Sequence, residues 1–446
     1  MFSNSAVNSI KLAKTILLQN NHGGYTIPSA RLYPFQWNWD AGFIALGLTY
    51  FDAQNAMDEI RNIFKGQWVN GMLPHIVFHQ PNSNYFPGPE EWDTSIITGN
   101  TNNVLVSGIT QPPVFGCILE RMHHLLKESN ENWLPFLKEI FPKVLKQHQY
   151  LYTHRDPHNE GLVYIQHNWE SGTDNSPMWD DIFDKMDISN AREVAHLRKD
   201  NRNIDAEERP TDDNYKRYIH IIDILKKCGY NDHKIAEQCP FLVQDVLFNS
   251  LLVKSNEGLL YLGNLLGEDM TQLEIQNNAT KNAINTKLWN EATGFYYSYD
   301  LRNQKPILVK VSSGFTPLYA GIANQSQANA LTNHLTNTFV NNSLWKLCPS
   351  CAANEAAFNP LKYWRGPAWI NVNWMLYQGL QHYKKYAEAK KVYDDTIALV
   401  ESHGMFEYFD ARPDGECIEK RGIGADAFSW TAALYLDMIY NPLIPL

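Results

Sequence analysis

The 446-residue chain reads as an all-α protein in which pairs of helices close into a ring. Three observations carry this reading. Apolar residues recur at helical spacing along nearly the whole chain. Strand-like alternation is confined to one short region. Stretches rich in Trp, Gly, Pro, Asn and Asp recur between the periodic segments, each leading into or opening a helix. Divided six ways, the chain leaves about 74 residues per pair, room for two ordinary helices and their loops. No low-complexity linker and no shift in composition interrupts it, so residues 1–446 are expected to form one domain. No internal repeat is strong enough to add to the argument.

In chain order, the spacing predicts a first helix over Asn4–Leu18 and, after the aromatic stretch YPFQWNWDAG, a second over Phe51–Phe64. MLPHIVFH, NYFPGPEEWD and TQPPVFG then form loops leading to a helix over Val114–Leu126, followed by one over Trp133–Tyr152. HNWESGTDNSPMWD is a long loop before predicted helices at Asp213–Cys228, Leu242–Leu266 and Met270–Leu288. Between Gly294 and Val311, GFYYSYD and PILVKV alternate around a polar turn, the pattern of a hairpin. Helices follow over Gln325–Thr338, Ala368–Tyr383, Tyr386–Ser402 and Phe428–Tyr440. The loops FNPLKYWRGPAW and FEYFDARPDG are set among them. Segments 80–100 and 180–212 are long and polar enough to serve as lids.

Composition narrows the function. Lys and Arg total 38 against 48 Asp and Glu, a net charge of −10, so nucleic acid is not the expected partner and neither is an anionic membrane surface. Apolar stretches fall well short of a membrane span, and Lys11 and Lys14 interrupt any leader-like run, so a cytoplasmic location is expected. A homo-oligomer is compatible with the composition. Six cysteines are too few for a disulfide scaffold, and Cys348-Pro-Ser-Cys351 stands without a second pair or a neighbouring His, so reduced structural thiols are expected. His75 and His79 share a potential helix face with no third ligand in view, so no metal is expected. Gly422-Ile-Gly424 follows no strand, and no organic cofactor is expected either.

What remains is carboxylates among aromatic rings, in a chain that holds 13 Trp, 23 Tyr and 20 Phe. Asp40 follows Trp37-Asn38-Trp39, Asp174 lies in the loop from Trp169 to Trp179, and Glu407 lies between Phe406 and Tyr408. A sugar ring offers apolar C–H faces and a rim of hydroxyls, which calls for flat rings edged by carboxylates and amides. Glycoside cleavage needs one protonated and one ionised carboxyl group. Taken alone, each of these acids also reads as a helix cap or a structural hydrogen-bond partner. Glu170 rivals Asp174 from the same loop. Trp169, Trp179 and Trp430 read equally as core.

The ordered set QWNWDAGF, MLPHI, QPPVFG, WESGTDNSPMWD, ERPTDDNYKRY, YWRGPAW, FEYFDARPDG and FSWTAAL resembles glycoside hydrolase family 63, over roughly residues 30–438. It is most similar to the compact mannosylglycerate and glucosylglycerate hydrolases of that family. The resemblance implies an (α/α)6 barrel and an inverting glycosidase that cleaves a small α-glucoside or α-mannoside, glucosylglycerate or mannosylglycerate above all. It implies Asp174 as general acid and Glu407 as general base. It also implies substrate contacts from Trp37, Asp40, Tyr363, Trp364, Arg365 and Trp369, with the aglycone carboxylate held by Tyr33, Tyr85, Gln111 and Tyr215. The alternatives are a trehalase-like or kojibiose-type hydrolase of neutral disaccharides, a non-catalytic sugar-binding protein on the same scaffold, and an epimerase. The last would ask for paired histidines.

Overall fold

Two kinds of helix account for the architecture. Asn38–Thr49 buries every one of its residues, and Ser429–Tyr440 buries all from Ser429 to Ile439. A helix with no polar face has no side to offer to water and must be enclosed by others. Ala53–Phe64 is of the second kind. It buries Ala56, Met57, Glu59, Ile60, Ile63 and Phe64 along one stripe and leaves the opposite face to solvent.

The computed structural model describes residues 3–96, 104–202, 204–340, 345–417 and 421–442. The enclosed helices form a ring. Asn38–Thr49 packs on Phe115–Leu126, which packs on Val246–Leu266. Next come the short Thr316–Tyr319 helix, Ile370–His382 and Ser429–Tyr440, and the last returns to Asn38–Thr49. Outside the ring, Asn4–Gln19 lies on Ser429–Tyr440, Ala53–Phe64 on Asn38–Thr49, and Trp133–His154 on both Phe115–Leu126 and Val246–Leu266. Thr271–Ala283 covers Val246–Leu266, and Tyr386–His403 covers Ile370–His382. Gln325–His334 packs on the strand Phe295–Tyr296.

Backbones approach closely inside the ring, and glycine marks where. A Cβ on Gly47 would stand 2.4 Å from Ala433 Cα, and one on Gly258 would stand 2.3 Å from the Gly116 carbonyl oxygen. Any larger residue at either position would have to push two inner helices apart.

The short strands stitch loops together near the first residues of the ring helices. Gln36–Trp37 runs straight into Asn38 and pairs antiparallel with Ile76–Phe78, which pairs with Leu105–Val106. Tyr408–Phe409 pairs with Gly422–Ile423, and Ala368 bridges to both Pro349 and Phe409.

Three expectations change. The periodicity assigns no helix between residues 18 and 51, yet Asn38–Thr49 is one; a helix without a polar face has no period to detect. The Gly294–Val311 segment does contain a hairpin, Tyr299–Asp300 against Lys305–Pro306. Its first half, however, pairs backwards with Trp289–Asn290, and Tyr299–Asp300 also takes Val243–Gln244 on its other side. His75 and His79 flank the strand Ile76–Phe78 rather than lying on a helix. They bond to different partners, Ser107 and Gln36. Cys348 and Cys351 are unpaired and buried, and burial pushes the Cys351 thiol up to about 12. Residues 97–100 of the first proposed lid and residue 203 of the second lie outside the described residues.

Candidate active site

The loops that enter the ring helices converge on a cavity with about 870 Å³ of empty space, its mouth included, a size suited to a small ligand. Tyr33, Trp37 and Asp40 come from the segment that enters the first ring helix, and Tyr85 and Gln111 from the loops before the second. Trp169 and Asp174 come from the long loop after Trp133–His154, and Tyr215 from the helix Asp212–Lys227. Tyr363, Trp364 and Trp369 come from the segment before Ile370, and Glu407 and Trp430 from around the last ring helix. Trp364 and Trp369 stack in parallel, with ring centroids 3.7 Å apart, and Tyr33 and Tyr85 each meet Trp37 edge-on. The structure therefore brings both predicted carboxyl groups together with every predicted contact residue except one.

That exception is Arg365. Its guanidinium closes on Asp180 with bonds of 2.9 and 2.5 Å and reaches the Asn175 carbonyl at 3.3 Å, so it stands behind the cavity rather than in it. The side chain of Asn175 accepts from the Trp364 N–H at 2.9 Å. Arg365 thus ties the loop bearing Asp174 to the YWRGPAW segment. Asp180, which opens a one-turn helix six residues past Asp174, is the nearby carboxylate that captures it.

Glu170 is also excluded. It is fully buried, paired bidentately with Arg155 at 3.0 and 3.0 Å, and it accepts from the N–H groups of Thr110 and Gln166. Every lone pair it could offer a substrate is spent on holding the loop. Trp169 and Trp430 line the cavity, whereas Trp179 is core and donates to the Thr173 carbonyl at 3.0 Å. Gly172 lets the loop pass over Trp39. It sits at φ +72°, and a Cβ there would come within 2.5 Å of the Trp39 ring.

Asp174 and Glu407 sit in contrasting surroundings. Burial pushes the Asp174 carboxyl up to about 7, with the charge of Glu407 adding to the rise and Arg209 opposing it. Its side chain receives one long bond, from the Tyr363 hydroxyl at 3.4 Å. Glu407 is raised too, again by burial, but two hydrogen-bond donors and one cation favour its ionised form. The Tyr33 hydroxyl donates to Oε1 at 2.7 Å, the Ala425 N–H to Oε2 at 3.1 Å, and the Arg209 guanidinium stands 3.9 Å from Oε1. The Tyr33 and Tyr363 hydroxyls are 3.3 Å apart, so two phenols link one carboxylate to the other. Asp40, in the first turn of its helix, is raised well above its usual value by burial and by the proximity of Glu407 and Asp174.

Of the cations at the cavity, Arg31 is among the donors the sequence offers for an anionic substrate, whereas Arg209 and Lys199 escape the sequence reading. Arg209 lies in the ERPTDDNYKRY segment, with its guanidinium 4.2 Å above the Tyr363 ring and 3.2 Å from the Tyr33 hydroxyl. Lys199 and Asp200 join it on the wall, and Arg31 lies at the same cavity. Arg209 is visible in the motif, but Tyr33, Tyr363 and Glu407, its partners at the cavity, come from three distant segments. Among the described residues, no cluster of three or more His, Cys, Asp or Glu could hold a metal ion, and no helix is long and apolar enough to cross a membrane.

The family model of the mannosylglycerate hydrolase MGH1-like glycoside hydrolase domain matches residues 33–431. The chain belongs to this glycoside hydrolase family. It is 38% identical over 426 residues to a mannosylglycerate hydrolase of Thermus thermophilus, covering 95% of this chain and 99% of the relative. It is 30% identical over 440 residues to a glucosylglycerate hydrolase of Mycolicibacterium hassiacum, covering 96% of each. Among solved structures, a family 63 mannosylglycerate hydrolase from Thermus thermophilus in complex with Tris and D-glycerate superposes with a TM-score of 0.89 at 38% identity. That match covers 96% of this chain and 99% of the other. The neutral trehalase of Saccharomyces cerevisiae, at 15% identity and a TM-score of 0.58, shares the fold; the match covers 93% of this chain and 73% of that one.

Proposed function

We propose that the protein hydrolyses a small α-glycoside of glycerate, α-mannosylglycerate or α-glucosylglycerate, to the free sugar and glycerate with inversion at the anomeric carbon. The observation that carries this reading is the asymmetry of the two carboxyl groups. Asp174, held near neutrality by burial, keeps a proton to donate to the glycosidic oxygen as the bond to the anomeric carbon breaks. Glu407, braced by Tyr33, Ala425 and Arg209, stays ionised and takes a proton from the water that attacks the opposite face. Inversion calls for the two groups to stand ~6.5–9.5 Å apart to admit that water. The three contacts through Tyr363 and Tyr33, at 3.4, 3.3 and 2.7 Å end to end, cap their separation just under the top of that window.

The sugar lies between Asp40, Trp37 and the stacked Trp364 and Trp369. The glycerate carboxylate is taken by hydroxyls and an amide from Tyr85, Gln111 and Tyr215, with Arg209 and Lys199 supplying positive charge beside them. The helical ring and its outer layer support an (α/α)6 barrel acting as one catalytic domain, with Tyr85 and Asp200 carried on the two segments proposed as lids.

The test is a hydrolysis panel of mannosylglycerate, glucosylglycerate, trehalose and kojibiose with the first-formed anomer followed by NMR. An α-glycerate glycoside should be cleaved fastest and release the β-anomer. Release of the α-anomer overturns the mechanism, and preferential cleavage of a neutral disaccharide overturns the substrate.

A further inference from the structure

The Arg209 guanidinium is placed by a chain of charges as well as by its contact with the Tyr363 ring. Asp200 Oδ2 accepts from Arg209 Nε at 3.3 Å. The same carboxylate is clasped from its other side by Arg198, whose Nε and Nη2 donate at 3.1 and 2.9 Å. Arg198 is itself pinned in two more ways. Its Nη1 donates to Asp212 at 2.7 Å at the start of the Asp212–Lys227 helix, and its guanidinium lies 4.1 Å from the centre of the Tyr215 ring. The side chains of Arg198, Asp200 and Arg209 are exposed by only 3%, 12% and 4%, so solvent does little to screen them. Among its described residues, the loop that carries Arg198 and Asp200 has no regular helix or strand beyond single 3₁₀ turns, so these ion pairs, together with the buried Val194 and the pairs of Arg192 and Glu193, help to fix its position.

We propose that Arg198 and Asp200 are positioning residues: together they form a relay that holds the Arg209 guanidinium on the Tyr363 ring and against Glu407. The inference rests on the reading of Glu407 as the base that must stay ionised. Asp200 touches neither Asp174 nor Glu407 and acts through Arg209. Its hold on Nε leaves the far end of Arg209 free to face Tyr33 and Glu407, whereas a lone Arg209 could turn toward any of the nearby acids. Other groups facing Glu407 are the carboxyls of Glu208, Asp40 and Asp174 and the hydroxyls of Tyr33, Tyr363 and Tyr408. All are neutral or negative; of the cations at the cavity, which include Arg31 and Lys199, Arg209 at 3.9 Å is the one that most favours its ionised form.

The sign of the pH response separates this role from a bulk charge effect. Deleting a negative charge at residue 200 would by itself make neighbouring carboxyls easier to ionise and move the acid limb of kcat/KM down. Releasing Arg209 does the opposite, and we expect Asp200→Asn to move the acid limb up by about half a pH unit or more, with kcat reduced about tenfold. Asp200→Glu should restore both. Arg198→Lys, which keeps the charge but loses the two-point clasp on Asp200, should move the limb the same way by less, and it decides the matter if Asp200→Asn does not fold by circular dichroism. The same ionisation is read without turnover from the carboxyl resonances of enzyme labelled with [δ-¹³C]glutamate, assigned with Glu407→Gln. A wild-type enzyme inactive on both glycerates therefore sinks the substrate reading while the relay is still measured. An acid limb or a Glu407 resonance that stays in place, or shifts down, in both variants overturns the relay.

Discussion

Glu170 and Asp174 stand four residues apart on one loop, carry the same functional group and are both buried, yet their surroundings give them opposite duties. Glu170 meets Arg155 and two backbone N–H groups, whereas Asp174 has one long bond to a phenol. Asp174→Asn and Glu407→Gln should each lower kcat by about 10³-fold or more with unchanged circular dichroism. Glu170→Gln should instead cost about 1–3 kcal/mol of stability by leaving Arg155 only its 3.4 Å pairing with Asp232, while the folded fraction keeps near-normal turnover. Thermal melts run beside initial rates separate the two behaviours. Asp174 also sets a pH signature. Its carboxyl is raised from 3.8 to about 7, so the folded protein binds that proton more tightly than the unfolded chain. Its favourable contribution is therefore full below the ordinary carboxylate range and is lost as pH rises through about 7. Wild-type kcat/KM should fall on the alkaline side of about 7. Asp174→Asn, which never ionises, should melt above wild type at pH 8, with the gap shrinking toward pH 5. A gap that widens in acid would place the shift on another group. Motif composition made both acids visible as candidates, but only the arrangement of donors separates them, because Arg155 lies in a different segment.

At the scale of elements, the amphipathic outer helices were legible nearly to the residue, since Ala53–Phe64 and Trp133–His154 each alternate between solvent and core. The inner ring was legible only in part. Asn38–Thr49 is enclosed on all sides and shows no period, and its Trp, Asn and Asp gave it the look of a loop. The same enclosure explains Gly47 and Gly258, which are positions of helix contact rather than turns. Gly47→Val should lower stability by about 1–3 kcal/mol or more by forcing Asn38–Thr49 off Ser429–Tyr440. Because that contact lies within the ring while Asp40 begins one of its helices, kcat should fall as well, in proportion to how far Asp40 moves. A valine variant with unchanged melting temperature would show that the two helices have slack. The loops were legible as carriers of chemistry, but the direction of a side chain was not. Arg365, in the YWRGPAW motif, points away from the cavity to Asp180, and Arg209, in a motif read for its tyrosine, points in.

For the whole molecule, the net charge of −10 opposes the approach of a glycerate anion. Two fields compete. The global field extends over the ~22 Å radius of gyration expected for this length and is weakened strongly between 10 and 150 mM salt, as the screening length falls from about 30 to about 8 Å. The local field of Arg209 and Lys199 acts over a few ångströms inside a largely buried cavity, where ions penetrate little. Salt should therefore remove more repulsion than attraction. Raising it over that range is expected to increase kcat/KM for a glycerate glycoside roughly twofold by relieving the global term. A neutral α-glycoside carried through the same series should stay flat, which isolates the charge effect from any change in the enzyme. A decrease with salt for the glycerate substrate would mean that Arg209, Lys199 and their neighbours project their charge beyond the mouth and steer capture themselves. Neutralising Lys199 would then remove the dependence.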